Sequence, residues 1–492
     1  MKAVTYFTLA FILFFPLRSV AAYEITPGCE KALEQILNLQ TVSARATLKE
    51  ESILDKDNHY IIFLENYADI IELLANGNKA KYQKFLIRLD DRLNAMEEEN
   101  PLSPYYRAIR AEMLAQAGMI NILFGDYLSG FSKIYSANHL LAKNCEIFPS
   151  FRMNNKLSGA FNIAFDNIPP VFKWVTRLMG MKGNTRKGFA LIENYRAYVK
   201  GHHGLEPESH VYIIFAYKII SEEEKAMHTI QAQRDPAYST LLSDYLYVNL
   251  LYKNAQAEES IKLLSMMRQK KTEVPFIYIN YLYGKAKLSR LDDDADRYFL
   301  AFLKESGEIN YKKEICNLLS WHYLIHGSTD KYIQYRNRIK GPEAEVTDRD
   351  REALVESQRK YSPNISLLKT RLLISGGYSN QAEETLKKVS PSQLESAAFR
   401  TEYYLLWGEL YSGRQNFQKA FGFFDLSIRQ GADIPEHYAS EASLLAGLLA
   451  LKINRPDLAK RYFKIALSLH NTDNVYLEVI HKRAKQALIR LS

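Results

Sequence analysis

The stretch Leu405-Leu406-Trp407-Gly408-Glu409-Leu410-Tyr411, continued by Ala420-Phe421-Gly422-Phe423-Phe424-Asp425-Leu426-Ser427, decides the fold. Gly408, Tyr411, Ala420 and Phe424 fall at the spacing of two consecutive helices. The next stretch repeats the pattern with Gly447, Ala450, Ala459, Phe463 and Ala466, so that Ala420 and Ala459 stand 39 positions apart. A small residue lets two helix backbones approach, and the aromatic four residues after an alanine is expected to fill the groove of the neighbouring pair. Such a pair cannot bury its own apolar face, so copies must stack into an α-solenoid. Solenoids of this kind bind other molecules and rarely catalyse.

Working back toward the N-terminus, the pattern fades. Around 370–386, Leu373, Ala382 and Leu386 keep the spacing, and Gly376-Gly377 marks a turn. Gly284, Ala295 and Phe299 keep it with one residue deleted, and Tyr245, Ala257, Ile261 and Leu264 make a weaker copy. Apolar residues at helical period, as in Ile61, Ile62, Leu64, Tyr67, Ile70, Ile71 and Leu74, extend the all-α reading to the rest of the chain. The 33 tyrosines and 24 phenylalanines suit it, since aromatics fill grooves between stacked helices. A charged stretch, Glu343–Lys360, reads as an exposed helix with solvated faces or as a boundary between two subarrays. Val475–Leu491 reads as an amphipathic helix capping the last repeat.

The first 22 residues have the features of a secretory leader: Lys2, a short apolar run Tyr6–Pro16, and Ser19, Ala21 and Ala22 as small residues for cleavage. Export to a periplasm is therefore the expected address. Without Lys2 and Arg18 the formal charge falls from +8 to +6, too mild a balance for a nucleic-acid partner. Cys29 and Cys145 are candidates for a bridge with Cys316 free; the alternative is three unpaired thiols.

Between residues 118 and 191 the texture changes. Gly118, Gly125 and Gly130 punctuate apolar helices; Gly159-Ala160-Phe161 and Ile168-Pro169-Pro170 follow, then Trp174 through the turn Met181-Lys182-Gly183-Asn184-Thr185-Arg186-Lys187-Gly188. Proline ends one helix and opens the next, while Gly180, Gly183 and Gly188 permit a tight reversal into the helix of Phe189 and Ile192. Special helix geometry, a partner-binding groove and membrane contact are the competing readings. For the last, the residues are Phe172, Lys173, Trp174, Arg177, Lys182, Arg186 and Lys187, a basic amphipathic set with a tryptophan.

The repeat spacing resembles that of tetratricopeptide (TPR) proteins. The ordered set Gly159, Phe161, Pro169, Pro170, Gly180, Gly183, Arg186 and Gly188 resembles the signature of the eukaryotic tetratricopeptide-39 family, whose relatives include a fungal outer-mitochondrial-membrane protein linked to inclusion-body clearance. The sequence departs from that signature at Phe165-Asp166-Asn167-Ile168, where the family has a small hydroxyl and an apolar run. The resemblance implies a non-catalytic, all-helical adaptor near membranes or lipid stores, here in an exported, bacterial-type form.

No HExxH, GxSxG, Walker A or dinucleotide fingerprint occurs. His202-His203 reads as a surface loop rather than a metal site, and Asp292-Asp293-Asp294 as carboxylates capping the next helix. No cofactor, metal or small-molecule substrate is expected. The expected organisation is a leader (1–22), an N-terminal helical domain (23–205) containing the 118–191 segment, degenerate TPR-like repeats (206–342), and C-terminal repeats with a capping helix (343–492). The expected function is a periplasmic scaffold for envelope proteins, in its sharper form an accessory to outer-membrane assembly or secretion, holding a helical or extended partner segment through Tyr404, Asn416 and Tyr438. A lipid-contacting protein working through residues 171–187 is the alternative.

Overall fold

A computed structural model describes residues 23–96, 103–168, 180–306, 311–341, 347–469 and 475–491. The described residues form α-helices, two short 3-10 turns and no strand, and they divide into two compact units. Unit 1 comprises residues up to Ile220 with Ala232–Asp244 and Thr272–Pro275; unit 2 comprises Ser221–Gln231, Tyr245–Lys271 and Phe276 onward. The fold class is all-α, and within each unit successive helices form antiparallel pairs.

What makes the pairs is a turn the sequence hides. A residue in the left-handed region closes the first helix of the pairs at Leu39, Gly125, Ala255, Leu291, Gly327, Gly377, Gln415 and Asn454. At each, the amide N–H that follows donates to the carbonyl five residues earlier, as in Asn416 to Tyr411 at 2.9 Å and Arg455 to Ala450 at 2.8 Å. This is the Schellman closure of a helix C-terminus. At most of these turns, the fifth residue beyond the left-handed one is a small buried side chain of the second helix: Ala44, Gly130, Ser260, Ala382, Ala420 and Ala459. The copy near residue 250 is therefore in register at Ser260 and Leu264. Alignment on Ala257 is three residues early, and the Ser260 hydroxyl donates to the carbonyl of Val248, which stands where Gly408 stands in its own copy.

The aromatic also packs differently from expectation. Phe424 lies over Gly408, Phe463 over Gly447 and Phe299 over Gly284, each within its own pair, where an added Cβ would clash with the ring. In unit 2 the first helix of a pair is buried on several sides, as in Lys312–Ile325 and Tyr438–Lys452. The second helices, such as Ser379–Lys387 and Pro456–Ser468, bury a single stripe. The first helices therefore form the inner layer and the second helices the outer one. Val475–Leu491 buries Val475, Leu477, Ile480, Ala484 and Ala487 as the last layer.

Two expectations are corrected by the packing. The charged stretch is not a solvated face: Asp348–Gln358 buries Asp350, Ala353, Glu356 and Ser357, and Asp350 accepts the amides of Tyr311 and Glu314. Nor do Asp292–Asp294 cap the next helix through side chains. Asp292 pairs instead with Arg290 and Lys287, Asp294 with Lys287, and Asp293 lies 2.9 Å from His326.

Unit 1 is built around two close crossings. Helices Pro104–Leu123 and Tyr127–Ile147 cross at Gly118 and Gly130, and helices Asn154–Asp166 and Thr185–Tyr198 cross at Gly159 and Gly188. A Cβ on Gly159 would stand 2.8 Å from the carbonyl oxygen of Gly188, and the reverse holds at the same distance. In both crossings each glycine is followed four residues later by an isoleucine (122, 134, 163, 192), and that isoleucine covers the partner's glycine. Gly183 is close to backbone as well, beside Asp166 and Asn162, and Gly180 has a φ of +64°.

Candidate functional site

Two polar assemblies stand out, one in each unit. In unit 1 the ammonium of Lys156, only 2 % exposed, lies 2.7 Å from Glu112 and 3.1 Å from both carboxylate oxygens of Glu208. The Tyr195 hydroxyl donates to Glu208 at 2.8 Å and the Tyr212 hydroxyl to Glu112 at 3.3 Å. The rings of Phe63, Tyr195 and Tyr212 each lie 5.7 Å from the ammonium. Burial pushes the Glu112 carboxyl up, Lys156 pulls it down and Glu208 pushes it up again, leaving it at about 7. The adjoining cavity is about 10 Å³, room for one water and far below the few hundred Å³ of a small-molecule site. This cluster pins helices Tyr60–Asn76, Pro104–Leu123, Asn154–Asp166, Thr185–Tyr198 and Leu205–Ile219 together.

In unit 2 a row of polar side chains comes from the inner helices. Tyr281 and Lys285 meet Glu314 at 2.8 and 2.9 Å. Arg349 pairs with Glu352 at 2.7 Å and Arg359 with Glu356 at 3.0 Å. Arg371 pairs with Glu402, and the Tyr438 hydroxyl accepts from Arg359 at 3.1 Å and from Arg371 at 3.4 Å. His437 stacks on Tyr476 at 3.9 Å and reaches Glu441 at 3.4 Å. Burial pushes the Glu441 carboxyl up, but His437, Arg371 and Arg483 outweigh it and hold it below the usual range. Glu409 is the exception. Among the described residues no hydrogen bond or ion pair reaches its carboxyl, and burial followed by the charge of Glu441 raises it to about 8. Arg490 of the last helix also pairs with Glu222, and Lys452 lies 3.6 Å from Glu224.

The structure scatters the residues chosen from sequence. Tyr438 belongs to the inner row, 3 % exposed and engaged by two arginines. Tyr404 instead packs toward the outer helix against Phe423, with Tyr403 beside it. Asn416 is exposed and accepts the Lys419 amide as the N-cap of Phe417–Gly431. Tyr411 stacks on Trp407 and Phe423. Lys182, Arg186 and Lys187 are exposed, while Pro169, Pro170, Phe172, Lys173, Trp174 and Arg177 lie outside the described residues, as does the leader. His202 bonds Glu30 at 2.7 Å and His203 packs on Tyr238. Cys29, Cys145 and Cys316 are free thiols, the first and last buried. Among the described residues no group of three or more His, Cys, Asp or Glu is placed to hold a metal, and no helix is long and apolar enough to cross a membrane. Sequence reasoning missed Arg371, Glu402, Glu409 and Glu441. Their common signal is a charged residue on the otherwise apolar face of an inner helix.

No protein-family model and no curated protein matches this sequence. Among solved structures, it is similar to the Cut9–Hcn1 hetero-tetramer of the APC/C, at 13% identity over 94% of this chain and 97% of that one, with a TM-score of 0.25. It is also similar to the quorum sensor NprR from B. thuringiensis (11% identity, 90% and 97% covered, TM-score 0.27) and to human IFIT1 with m7Gppp-AAAA (14%, 91% and 96%, 0.27). At such scores the description of the fold rests on this chain's own helices.

Proposed function

We propose that the chain is an exported, periplasmic scaffold without catalytic activity, which seats a segment of another envelope protein along the inner row of unit 2. The observation that carries the reading is Glu409, a carboxyl without a partner in a row where the other acids named are paired. An enclosed unpaired acid is costly. A lysine or arginine side chain placed between Glu409 and Glu441 would ionise Glu409 and complete the alternation of charge. Tyr476, stacked on His437 beside Glu441, supplies flat, rigid contact area near it. The unpaired carboxyl of such a row is available to a partner's side chain, in the manner of helical-repeat proteins that bind extended or helical segments. The envelope address rests on the leader-like residues 1–22, and outer-membrane assembly or secretion is the process that would suit a scaffold there.

The test is an affinity pull-down of the tagged protein from gently crosslinked, detergent-solubilised envelopes, read by mass spectrometry. A stoichiometric set of envelope proteins that is lost with Glu409→Lys is expected. Recovery of the bait alone overturns the reading.

A further inference from the structure

We propose that one end of unit 1 docks on the surface of an anionic lipid bilayer. Three successive hairpins of this unit, 60–76 with 79–95, 104–123 with 127–147, and 154–166 with 185–198, run antiparallel. The turns inside the hairpins therefore fall at one end and the connections between hairpins at the other. Tyr82 stacks on Phe124 at 4.5 Å, which sets the first turn against the second. Ile134 and Phe165 pack on one core cluster, which sets the third beside it.

At that end, Tyr127–Ile147 opens with Leu128, 84 % exposed, next to exposed Tyr127, and Pro104–Leu123 closes with exposed Met119 and Leu123. A single exposed apolar side chain is ordinary. Here four crown one tip, and cations flank them on both sides: Lys79 and Lys81 from the first hairpin, Lys182, Arg186 and Lys187 from the third, all exposed. The carboxylates at this end are fewer and engaged. Asp126 accepts the Ser129 amide as a helix cap, and Asp166 accepts the amide and hydroxyl of Thr185.

The opposite end shows what decides the occupant. Leu54 there is 80 % exposed, with Ile53 and Ile147 also exposed, and the exposed charges around them are of both signs, Lys49, Lys56, Lys143 and Arg152 with Glu50, Asp57 and Glu146. Apolar exposure is common to both ends; the first adds the larger excess of positive charge, its five exposed cations standing against the exposed Asp166. An apolar tip ringed by lysine and arginine matches a headgroup layer, where the cations meet phosphate and the tip enters the acyl boundary. A convex tip can enter a fluid surface, whereas a folded protein partner must offer a socket for it. The inference is independent of the inner row of unit 2.

The experiment places an environment-sensitive fluorophore at the tip of the full chain, on Leu128→Cys in a Cys145→Ser background, with Leu54→Cys as the other-end control. The readout is local, so any other membrane contact of the chain does not produce it. Vesicles of phosphatidylcholine with phosphatidylglycerol are expected to raise and blue-shift emission at 128 and not at 54, and vesicles of phosphatidylcholine alone to do neither. Lys182→Gln with Arg186→Gln is expected to raise the half-saturating lipid concentration by about 25-fold, roughly fivefold for each charge removed. No rise at 128, an equal rise at both ends, or a midpoint unmoved by the two substitutions overturns the proposal. The labelled and charge-removed positions are exposed, and the partly buried Cys145 is serine in the control as well, so loss of the fold does not confound the comparison.

Discussion

Replacing Lys156 with methionine keeps the stem of the side chain and removes its charged end. In the parent, one ammonium serves two carboxylates, Glu112 at 2.7 Å and Glu208 at 3.1 Å, with the lysine 2 % and Glu208 1 % exposed. Breaking a buried ion pair from one side costs about 3–5 kcal/mol, because the remaining charge has no partner. That is a large share of the roughly 5–15 kcal/mol that holds a typical domain folded. The pH dependence fixes the mechanism. The Glu112 carboxyl, raised to about 7, gives stability that is complete below its ordinary value and fades as pH rises through 7. In the parent this amounts to about 2 kcal/mol lost between pH 5 and pH 7. In Lys156→Met both carboxyls favour the proton, so the deficit at pH 5 is expected to be about half that at pH 7 or less. Adding Glu112→Gln and Glu208→Gln to Lys156→Met should restore all but about 1–2 kcal/mol, since neutral groups leave no charge buried. Urea unfolding followed by circular dichroism gives the magnitudes. Hydrogen exchange should locate the loss in helices Asn154–Asp166 and Leu205–Ile219 and leave Ala397–Gly413 unchanged. A loss below 1 kcal/mol at pH 7, or one equal at pH 5 and pH 7, refutes the reasoning.

Three further outcomes follow from the geometry. Gly159→Ala puts a methyl 2.8 Å from the Gly188 carbonyl and should cost about 1–3 kcal/mol in urea unfolding, while Gly422→Ala, where a Cβ meets nothing within 4 Å, should cost nothing measurable. Gln415→Gly relieves an exposed left-handed residue at φ +59° and should raise stability by about 1 kcal/mol, a gain that thermal unfolding resolves. Glu409, held at about 8 and half-buried, should make stability fall by at most about 1.4 kcal/mol between pH 7 and pH 9, less after solvent screening. The fall should be absent in Glu409→Gln.

The C-terminal pairs were readable because Gly408 with Phe424, and Gly447 with Phe463, put an unusual small–large combination at fixed spacing. Where neither residue is extreme in size, as at the corresponding positions Thr370 and Leu386, the spacing carries no such mark. The turns are the clearest case. The left-handed position is filled by Leu39, Ala255, Gln415 or Asn454 as readily as by Gly377, so no residue type announces it, and the weak copy near 250 was misread by three positions. The glycine crossings of unit 1 were legible as punctuation, but the pairing of Gly118 with Gly130 and Gly159 with Gly188 needed the backbone. The candidate site was mostly invisible. Tyrosine and asparagine were the natural choices for a binding face, yet Asn416 caps a helix and Tyr404 packs toward the outer layer. The row is made by charges such as Arg371 and Glu402, which in sequence look like interruptions of an apolar helix.

The most direct test of the central claim, that a partner lies along the inner row of unit 2, is photo-crosslinking from two single positions within the envelope. Benzoylphenylalanine at Tyr476, beside His437 in the row, is expected to trap one protein, and Glu409→Lys should abolish the adduct. The same group at Ile333, exposed on the outer helix Thr329–Arg338, should trap none. An adduct from Ile333 alone, or one from Tyr476 that persists undiminished with Glu409→Lys, contradicts the account.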